Sequence, residues 1–381
     1  MADIKIYDNR YINLSSVDWD FADAVVDPLA SIHPYPARFI NEIPKHLIER
    51  VGCPEGTIIL DPFCGSGTTL VEAQRHGVDS VGIDLNPIAC LISKVKTQPL
   101  PDGFFSVVER TAVQAMKLYK GAVSIPKIPN IDHWFKQEIQ KALSALLYII
   151  HDQEDQIIKD ALRIALSSII VRVSNQESDT RYAAIDKSIS AYDVFRNFII
   201  AGKKIAQVKA GENLHNNANI LLQDVLTVDT NQIGKKVGLV VTSPPYPNAY
   251  EYWLYHKYRM WWLGYDPIEV RTFEIGARPH YQKKNGQTEK DFYRQMNCVF
   301  DTLAECLVVD GHICFVVGRS IISGRVIDNA ELIQDIGEKH NLVLVANITR
   351  EIAPAKKSFN LKYGKIKEEN ILVFRKDKSW I

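Results

Sequence analysis

The fold of this chain is decided by residues 57–84, which read TIILDPFCGSGTTLVEAQRHGVDSVGID. An apolar run ends at Asp61, a glycine-rich turn follows, and a helical pattern begins at Thr68 and ends before Gly77. A second apolar run then ends at Asp84. This alternation predicts a β-loop-α-β unit, which requires a parallel sheet with a right-handed crossover.

The turn between the first strand and the helix suits a bound nucleoside. Gly65 and Gly67 let the backbone approach a ligand closely, and the start of a helix offers free N–H groups. Thr68 stands where a phosphate-binding P-loop has lysine, so we expect a cofactor without a phosphate chain. Asp84 is placed to accept hydrogen bonds from ribose hydroxyls. Capping of the next helix is the alternative role for Asp84, and it does not exclude ribose binding.

A second rigid loop follows another apolar strand. Residues 242–246 read TSPPY and come directly after the apolar run at 239–241. The carboxyl end of a parallel strand meets the ligand crevice of such a sheet. Two prolines fix the backbone, so the carbonyl groups point in a set direction at little entropic cost. The alternative interpretation is a rigid loop that carries a surface tyrosine.

This loop has the groups that methylation of an exocyclic amine requires. Such an amine is a weak nucleophile because its lone pair is conjugated to the ring. Hydrogen bonds to Ser243 and to the carbonyl of Pro244 would draw the lone pair out of the ring. Tyr246 would stack on a base rotated out of its duplex. The residues expected to line the same base pocket are Asn248, Tyr250 and Tyr252.

These loops resemble the motifs of the amino-methylating DNA methyltransferases, which act on N4 of cytosine or N6 of adenine. Residues 61–68 match the cofactor motif of that family, and residues 243–246 match its catalytic motif. Residues 33–39, which read HPYPARF, resemble the segment that touches the methionine end of the cofactor. Asp224 falls where the third acid of the family meets the adenine. The resemblance covers the sheet-forming parts of the chain.

The resemblance implies an α/β, Rossmann-like S-adenosylmethionine-dependent methyltransferase fold with a mostly parallel sheet. It also implies S-adenosyl-L-methionine as cofactor, no metal, and double-stranded DNA as partner, with a cognate restriction endonuclease that acts separately. The implied catalytic residues are Ser243, Pro244, Pro245 and Tyr246. The implied cofactor-binding residues are Tyr35, Ala37, Arg38, Phe39, Asp61, Pro62, Phe63, Gly65, Gly67, Thr68, Asp84 and Asp224.

Ser243 bears on the choice of target base. Family members with serine before Pro-Pro-Tyr mostly act on cytosine N4, and those with aspartate or asparagine there mostly act on adenine N6. We therefore favour cytosine N4 and keep adenine N6 as the alternative. The rival functions are methylation of an RNA base and a non-catalytic subunit that has kept the fold. Methylation of cytosine C5 is disfavoured because the chain has no Pro-Cys pair to supply the nucleophile.

Three segments organise the chain. Residues 1–98 are expected to hold an N-terminal arm over the core, at 1–30, and the cofactor-binding half. Residues 99–210 form a helical insertion that is a candidate for target recognition, and residues 211–381 form the catalytic half. Helical patterns run over 134–151, 156–173 and 189–204. A polar loop is expected at 174–182. The cationic residues of the insertion that are candidates for phosphate contact are Arg163, Arg172, Arg181, Lys187, Arg196, Lys203 and Lys204. The other candidate for DNA contact is the segment after the catalytic motif, in which aromatic residues alternate with cationic ones such as Lys257, Arg259, Arg271 and Arg278.

The composition is that of a globular protein with a sizeable core. Hydrophobic residues are 46% of the 381 residues. The 45 Lys and Arg residues balance 45 Asp and Glu residues, so DNA contact requires a local basic surface. None of the six cysteines has C-x-x-C spacing, which indicates buried thiols in a reducing compartment. No apolar run reaches the ~18 residues that span a bilayer, and no signal-peptide pattern begins the chain, so we expect a cytoplasmic protein.

Overall fold

The computed structural model describes residues 2–37, 39–212, 214, 216–234, 236–247, 250–282, 285–322, 324–352 and 368–377. Its strands are β1 (Asp3–Ile6), β2 (Ile58–Asp61), β3 (Ser80–Asp84), β4 (Gln176–Ser178), β5 (Arg181–Ala184), β6 (Ala218–Leu222), β7 (Val237–Thr242), β8 (Leu307–Gly318), β9 (Ser320–Ile322), β10 (Arg325–Ile327), β11 (Leu342–Glu351) and β12 (Glu368–Lys376). Its helices are α1 (Glu42–Val51), α2 (Thr68–Arg75), α3 (Pro87–Thr97), α4 (Phe104–Tyr119), α5 (Ile131–Trp134), α6 (Gln137–His151), α7 (Gln156–Ile169), α8 (Ala191–Ala210), α9 (Tyr252–Trp262), α10 (Pro267–Phe273), α11 (Arg278–Tyr281), α12 (Glu289–Cys306) and α13 (Asn329–Lys339).

Eight strands form the central sheet in the order β6-β3-β2-β7-β8-β12-β11-β1. The neighbouring pairs from β6 to β8 are parallel, and those from β8 to β1 are antiparallel. Strands β12 and β1 therefore run opposite to the other six. The predicted Rossmann-like α/β fold with a mostly parallel sheet is confirmed.

Strands β2 and β7 mark the point where the strand order reverses. The chain runs outward from β2 through β3 to β6, returns to β7 on the other side of β2, and continues to β8. Ligands bind at such a switch point, in the crevice outside the carboxyl ends of the strands. Asp61 ends β2, Thr242 ends β7, and the Thr242 hydroxyl donates to the Asp61 carboxylate over 2.6 Å. Both motif loops therefore start at one place on the sheet edge.

The N-terminal residues belong to the core of the protein. Strand β1 pairs antiparallel with β11, with Ile4 opposite Ile348. Leu14 and Trp19 are fully buried, and the Trp19 indole N–H donates to the Leu14 carbonyl over 2.9 Å. The arm predicted at residues 1–30 therefore includes a strand of the central sheet and contributes buried side chains to the core. All four residues of β1 pair with β11. The segment after β1 packs in one apolar cluster with Leu239 and Val241 of β7.

The segment between β3 and β6 is largely helical, in line with the helical patterns of the sequence. Helices α4, α6, α7 and α8 pack with α3 and α9 around one apolar cluster, in which Phe135, Phe198 and Trp262 are fully buried. The polar loop expected at 174–182 is instead the hairpin β4–β5, in which Ser178 pairs with Arg181. Because the insertion shares this cluster with α9, it is attached to the segment that follows residues 242–246. Among the described residues, no helix is both long and apolar enough to cross a membrane.

Candidate cofactor and catalytic site

An open cleft lies at the carboxyl ends of β2, β3 and β7. All but two of the predicted cofactor-binding residues line it, namely Tyr35, Ala37, Phe39, Asp61, Pro62, Phe63, Gly65, Thr68, Asp84 and Asp224. Gly67 is not in the lining and immediately precedes α2. Arg38 lies outside the described residues.

Asp84 holds the glycine-rich loop in place. One carboxylate oxygen accepts the Gly65 amide over 2.8 Å, and the other accepts the Asn86 amide over 2.7 Å. Asn86 itself caps α3 by accepting the amide of Ile88. Burial raises the pKa of Asp84 to about 6, although the backbone amides oppose this shift. The carboxylate still lines the cleft, and its remaining lone pairs can accept hydrogen bonds from a ligand.

Gly67 shapes the loop although it does not line the cleft. Its φ of +78° is in the left-handed region that favours glycine. A Cβ there would lie 2.8 Å from Ser93 Oγ and 3.1 Å from Ser93 Cα. The Ser93 hydroxyl in turn donates to the Gly65 carbonyl over 2.9 Å. The loop can therefore pack closely on α3 only because residue 67 has no side chain.

Asp61 connects the cofactor loop with the second motif loop. Its carboxylate accepts the Thr242 hydroxyl over 2.6 Å and the Phe63 amide over 3.1 Å. Burial raises the pKa of Asp61 to about 6. A further bond joins α2 to β7, because the Thr69 hydroxyl donates to the carbonyl of Val241 over 3.2 Å. These bonds hold the ends of β2 and β7 together at the floor of the cleft.

Two of the four predicted catalytic residues line the cleft. Ser243 and Pro245 line the cleft, and Pro244 is buried outside its lining. Tyr246 is half-buried, and its hydroxyl lies 3.3 Å from Ser243 Oγ. Gly276, with a φ of +79°, lies under Tyr246, because a Cβ on it would be 2.6 Å from the Tyr246 carbonyl oxygen. The loop is thus packed from below by a distant part of the chain.

A row of tyrosines leads from the cleft to the surface. The rings of Tyr35 and Tyr252 stack, with centroids 5.7 Å apart and planes inclined by 29°. Tyr250 lies 6.2 Å from Tyr252, is 50% exposed and does not line the cleft. Of the predicted base-binding residues, Tyr252 therefore reaches the cleft directly. Asn248 lies outside the described residues.

One wall of the cleft carries no sequence motif. Val270, Phe273, Glu274 and Ile275 line it, at the end of α10 and just beyond. The carboxylate of Glu274 is buried and accepts the amides of Tyr252 and Trp253. Sequence reasoning missed these residues because no local pattern relates them to the two motif loops. The sequence carried only an indirect signal, namely an acid between the two apolar residues Phe273 and Ile275.

The described lining of the cleft is acidic. Its ionisable acids are Asp61, Asp84, Asp224 and Glu274, and the same described lining contains no Lys, Arg or His. Burial is the first cause of the raised pKa in all four carboxyls. A ligand that carries positive charge would relieve the cost of ionising these groups. The site therefore favours a cation over an anion.

The cationic residues of the insertion are partly engaged within the protein. Arg163 donates to the Tyr265 hydroxyl over 3.0 Å. Arg172 donates to the Asn197 side chain over 3.1 Å. The exposed Arg181 and Arg196 pair with Glu177 and Asp193, respectively. Exposed ion pairs of this kind are weak, so these two arginines can exchange a carboxylate for a phosphate.

Known proteins are similar to this chain in sequence. Residues 8–95 match the DNA methylase family of N6 and N4 methyltransferases. The Type II methyltransferase M.MvaI of Kocuria varians is 28% identical, over 57% of this chain and 53% of its own. M.MjaII of Methanocaldococcus jannaschii is 22% identical, over 88% of this chain and 80% of its own. M.BsoBI of Geobacillus stearothermophilus is 27% identical, over 69% of this chain and 58% of its own. The chain thus spans little more than half the length of M.MvaI and M.BsoBI.

Solved structures give a weaker likeness. A TehB-like SAM-dependent methyltransferase from Corynebacterium glutamicum is 12% identical over 88% of this chain and 87% of its own, with a TM-score of 0.32, which is too low to compare the two folds in detail. The sheet order, the two motif loops at one switch point and the match of residues 8–95 agree with one another. They make this chain similar to the amino-methylating DNA methyltransferases, whose cofactor is S-adenosyl-L-methionine.

Proposed function

We propose that this protein transfers a methyl group from S-adenosyl-L-methionine to the exocyclic amine of a base rotated out of double-stranded DNA. One observation carries the proposal: Ser243 and Pro245 line the same cleft as Gly65, Asp61 and Asp84. A methyl donor held by the cofactor loop and an amine held by the second loop would therefore share one space. Proximity of this kind converts a reaction between two molecules into a step within one complex.

The residues of the cleft fit the proposed cofactor. S-adenosyl-L-methionine carries a sulfonium and an ammonium, and the described lining offers them the carboxylates of Asp61, Asp84 and Asp224. The fourth acid, Glu274, accepts the amides of Tyr252 and Trp253 instead. Asp84 would accept hydrogen bonds from the ribose hydroxyls, and Asp224 would meet the adenine. Tyr35 and Phe39 would face the methionine end. The cofactor, when bound, supplies a methyl group that a nitrogen nucleophile can attack.

The second loop would prepare the amine. Ser243 Oγ and the Pro244 carbonyl would accept its two N–H bonds, which draws the nitrogen lone pair out of the aromatic ring. The two prolines hold these acceptors in a fixed direction. Tyr246 would stack on the base, and Tyr252, stacked on Tyr35, would close the pocket on the cofactor side. Base flipping costs a few kcal/mol, which stacking on aromatic side chains offsets.

Cytosine N4 is the target base that we favour. The reason is Ser243, since serine before Pro-Pro-Tyr is typical of the members of this family that act on cytosine. Adenine N6 is the alternative within the same chemistry. A cognate restriction endonuclease that acts separately is part of the proposal, because relatives of this chain are named Type II methyltransferases.

The experiment is to express the protein in a host without amino-methylated bases, digest DNA and RNA to nucleosides, and identify methylated products by mass spectrometry. The matched control is Ser243→Ala in the same host. We expect N4-methylcytosine in DNA, and little of it with the variant. N6-methyladenine alone would show that the target base is wrong. Methylation confined to RNA, or no methylation in either, would overturn the proposal.

A further inference from the structure

Both ends of the catalytic loop are attached to one short segment, residues 274–276. At the far end, the two carboxylate oxygens of Glu274 accept the amides of Tyr252 and Trp253 over 3.0 and 2.7 Å. At the near end, Gly276 lies directly under the Tyr246 carbonyl oxygen. Residues 274–276 therefore contact both ends of the loop.

Glu274 sits at the N-terminus of α9 in a buried position. It is 8% exposed and lines the cleft. The first amides of a helix have no partner within the helix, and an anion at that end is stabilised by the helix dipole. Removal of the Glu274 carboxylate would take away the acceptor that the amides of Tyr252 and Trp253 have at the cleft wall. The carboxylate thus satisfies two donors at once.

The charged groups around Glu274 act on its ionisation in opposite directions. Burial raises the pKa of Glu274 to about 8, and the charges of Asp84 and Glu251 add to this shift, whereas the two amides oppose it. Arg278 pairs with Glu251 over 3.7 Å, and Arg271 lies 5.3 Å from the Trp253 ring centroid. Burial raises the pKa of the Tyr252 phenol, and the charges of Tyr246 and Glu274 add to that shift.

We propose that Glu274 is a positioning residue for methyl transfer: as a carboxylate it holds the start of α9, and with it Tyr252, against the cofactor cleft. The proposal rests on the function proposed above. Glu274 acts through the backbone of Tyr252 and Trp253, and so sets where the Tyr252 ring meets Tyr35. Glu274 is outside both sequence motifs, and its hydrogen bonds to Tyr252 and Trp253 relate it to the cleft.

The role requires the ionised form. A carboxylate has an acceptor oxygen for each amide, whereas a protonated carboxyl or a glutamine side chain presents a donor group at one of them. One buried amide would then lose its partner. Because Glu274 gains its charge as the pH rises through about 8, we expect kcat of the wild-type protein to rise over the same range.

The test compares Glu274→Gln with Glu269→Gln, in which an exposed acid on α10 is changed in the same way. We measure kcat and KM for DNA methylation against pH, and hydrogen exchange of the Tyr252 and Trp253 amides. We expect Glu274→Gln to lower kcat roughly tenfold, as one lost hydrogen bond predicts, with little change in the KM for the cofactor. The rise in kcat near pH 8 should disappear, and both amides should exchange faster. Glu269→Gln should match the wild type.

A third variant, Glu274→Asp, keeps the charge on a shorter side chain and should retain part of the rise with pH. A wild-type pH profile and exchange rate in Glu274→Gln would overturn the positioning role. If the wild-type protein methylates no base, the proposed function fails, and the exchange rates of the two amides still decide whether Glu274 holds α9. If Glu274→Gln does not fold, Glu274→Asp decides: loss of the pH-dependent rise in that folded variant would overturn the proposal.

Discussion

The Tyr246 hydroxyl donates a hydrogen bond to the carbonyl oxygen of Val316, 3.1 Å away. Val316 lies in β8, the sheet neighbour of the strand from which the catalytic loop emerges. The bond attaches the edge of the tyrosine ring to the sheet. The hydroxyl thus anchors the ring. Under the proposed function, it is the face of the ring that would stack on a base.

This arrangement separates the effects of two changes at Tyr246. Tyr246→Phe keeps the ring and should lower the free energy of unfolding by about 1 kcal/mol while most methyl transfer survives. Tyr246→Ala removes the stacking surface, which is worth about 1–3 kcal/mol per base. We expect kcat/KM for DNA to fall roughly 5- to 150-fold, with cofactor affinity near normal. Steady-state kinetics and cofactor titration check both variants, and wild-type turnover by Tyr246→Ala would show that the assignment is wrong.

Replacement of Asp84 should weaken cofactor binding. Asp84→Ala removes the proposed ribose acceptor and the acceptor of the Gly65 amide. We expect a loss of about 1–3 kcal/mol in binding free energy, as for hydrogen bonds to a charged group. Asp84→Asn keeps one acceptor oxygen and should lose less. The measurement is calorimetric titration with S-adenosyl-L-methionine, and unchanged affinity in a folded Asp84→Ala protein would rule out the ribose role.

Cofactor affinity should increase as the pH rises through about 6. Burial raises the pKa of Asp61 and of Asp84 to about 6, so both lose negative charge in the free protein below that pH. A cation favours their ionised forms, so binding should release protons in this range. Titrations in buffers of different ionisation enthalpy measure that release. S-adenosylhomocysteine, which lacks the sulfonium charge, is the control and should show a weaker pH dependence. An affinity that falls with rising pH would contradict the acidic-cleft argument.

Gly67 offers a test of the loop that needs no activity assay. Gly67→Ala combines a left-handed backbone with a clash against Ser93, whereas Gly103→Ala has a φ of +77° and open space around the new methyl group. The left-handed backbone should lower the free energy of unfolding by about 1–2 kcal/mol in each variant. Gly67→Ala should lower it further, because the Cα of Ser93 cannot move freely within α3. Urea unfolding measures both, and equal losses would show that close packing at Gly67 is unimportant.

The sequence by itself determined the sheet-forming units and the two motif loops. Thr57–Asp61 and Ser80–Asp84 were predicted as strands because apolar runs that end in an acid, with a glycine turn between them, constrain the backbone within a few residues. The TSPPY loop was predictable for the same reason, since two prolines fix their own conformation. The place of both loops at one switch point followed from the rule that parallel strands present their carboxyl ends together.

Only the tertiary structure decided which distant residues complete these units. Strand β1 lies against Ile348. Glu274 lies against Tyr252 and Trp253, and Gly276 under Tyr246. Each of these contacts joins parts of the chain with no shared local pattern, and hydrogen bonds to backbone amides leave no mark on the residue types that donate them. The interaction between such segments depends on how helices and strands pack in space, whereas local propensity depends on neighbours in the chain.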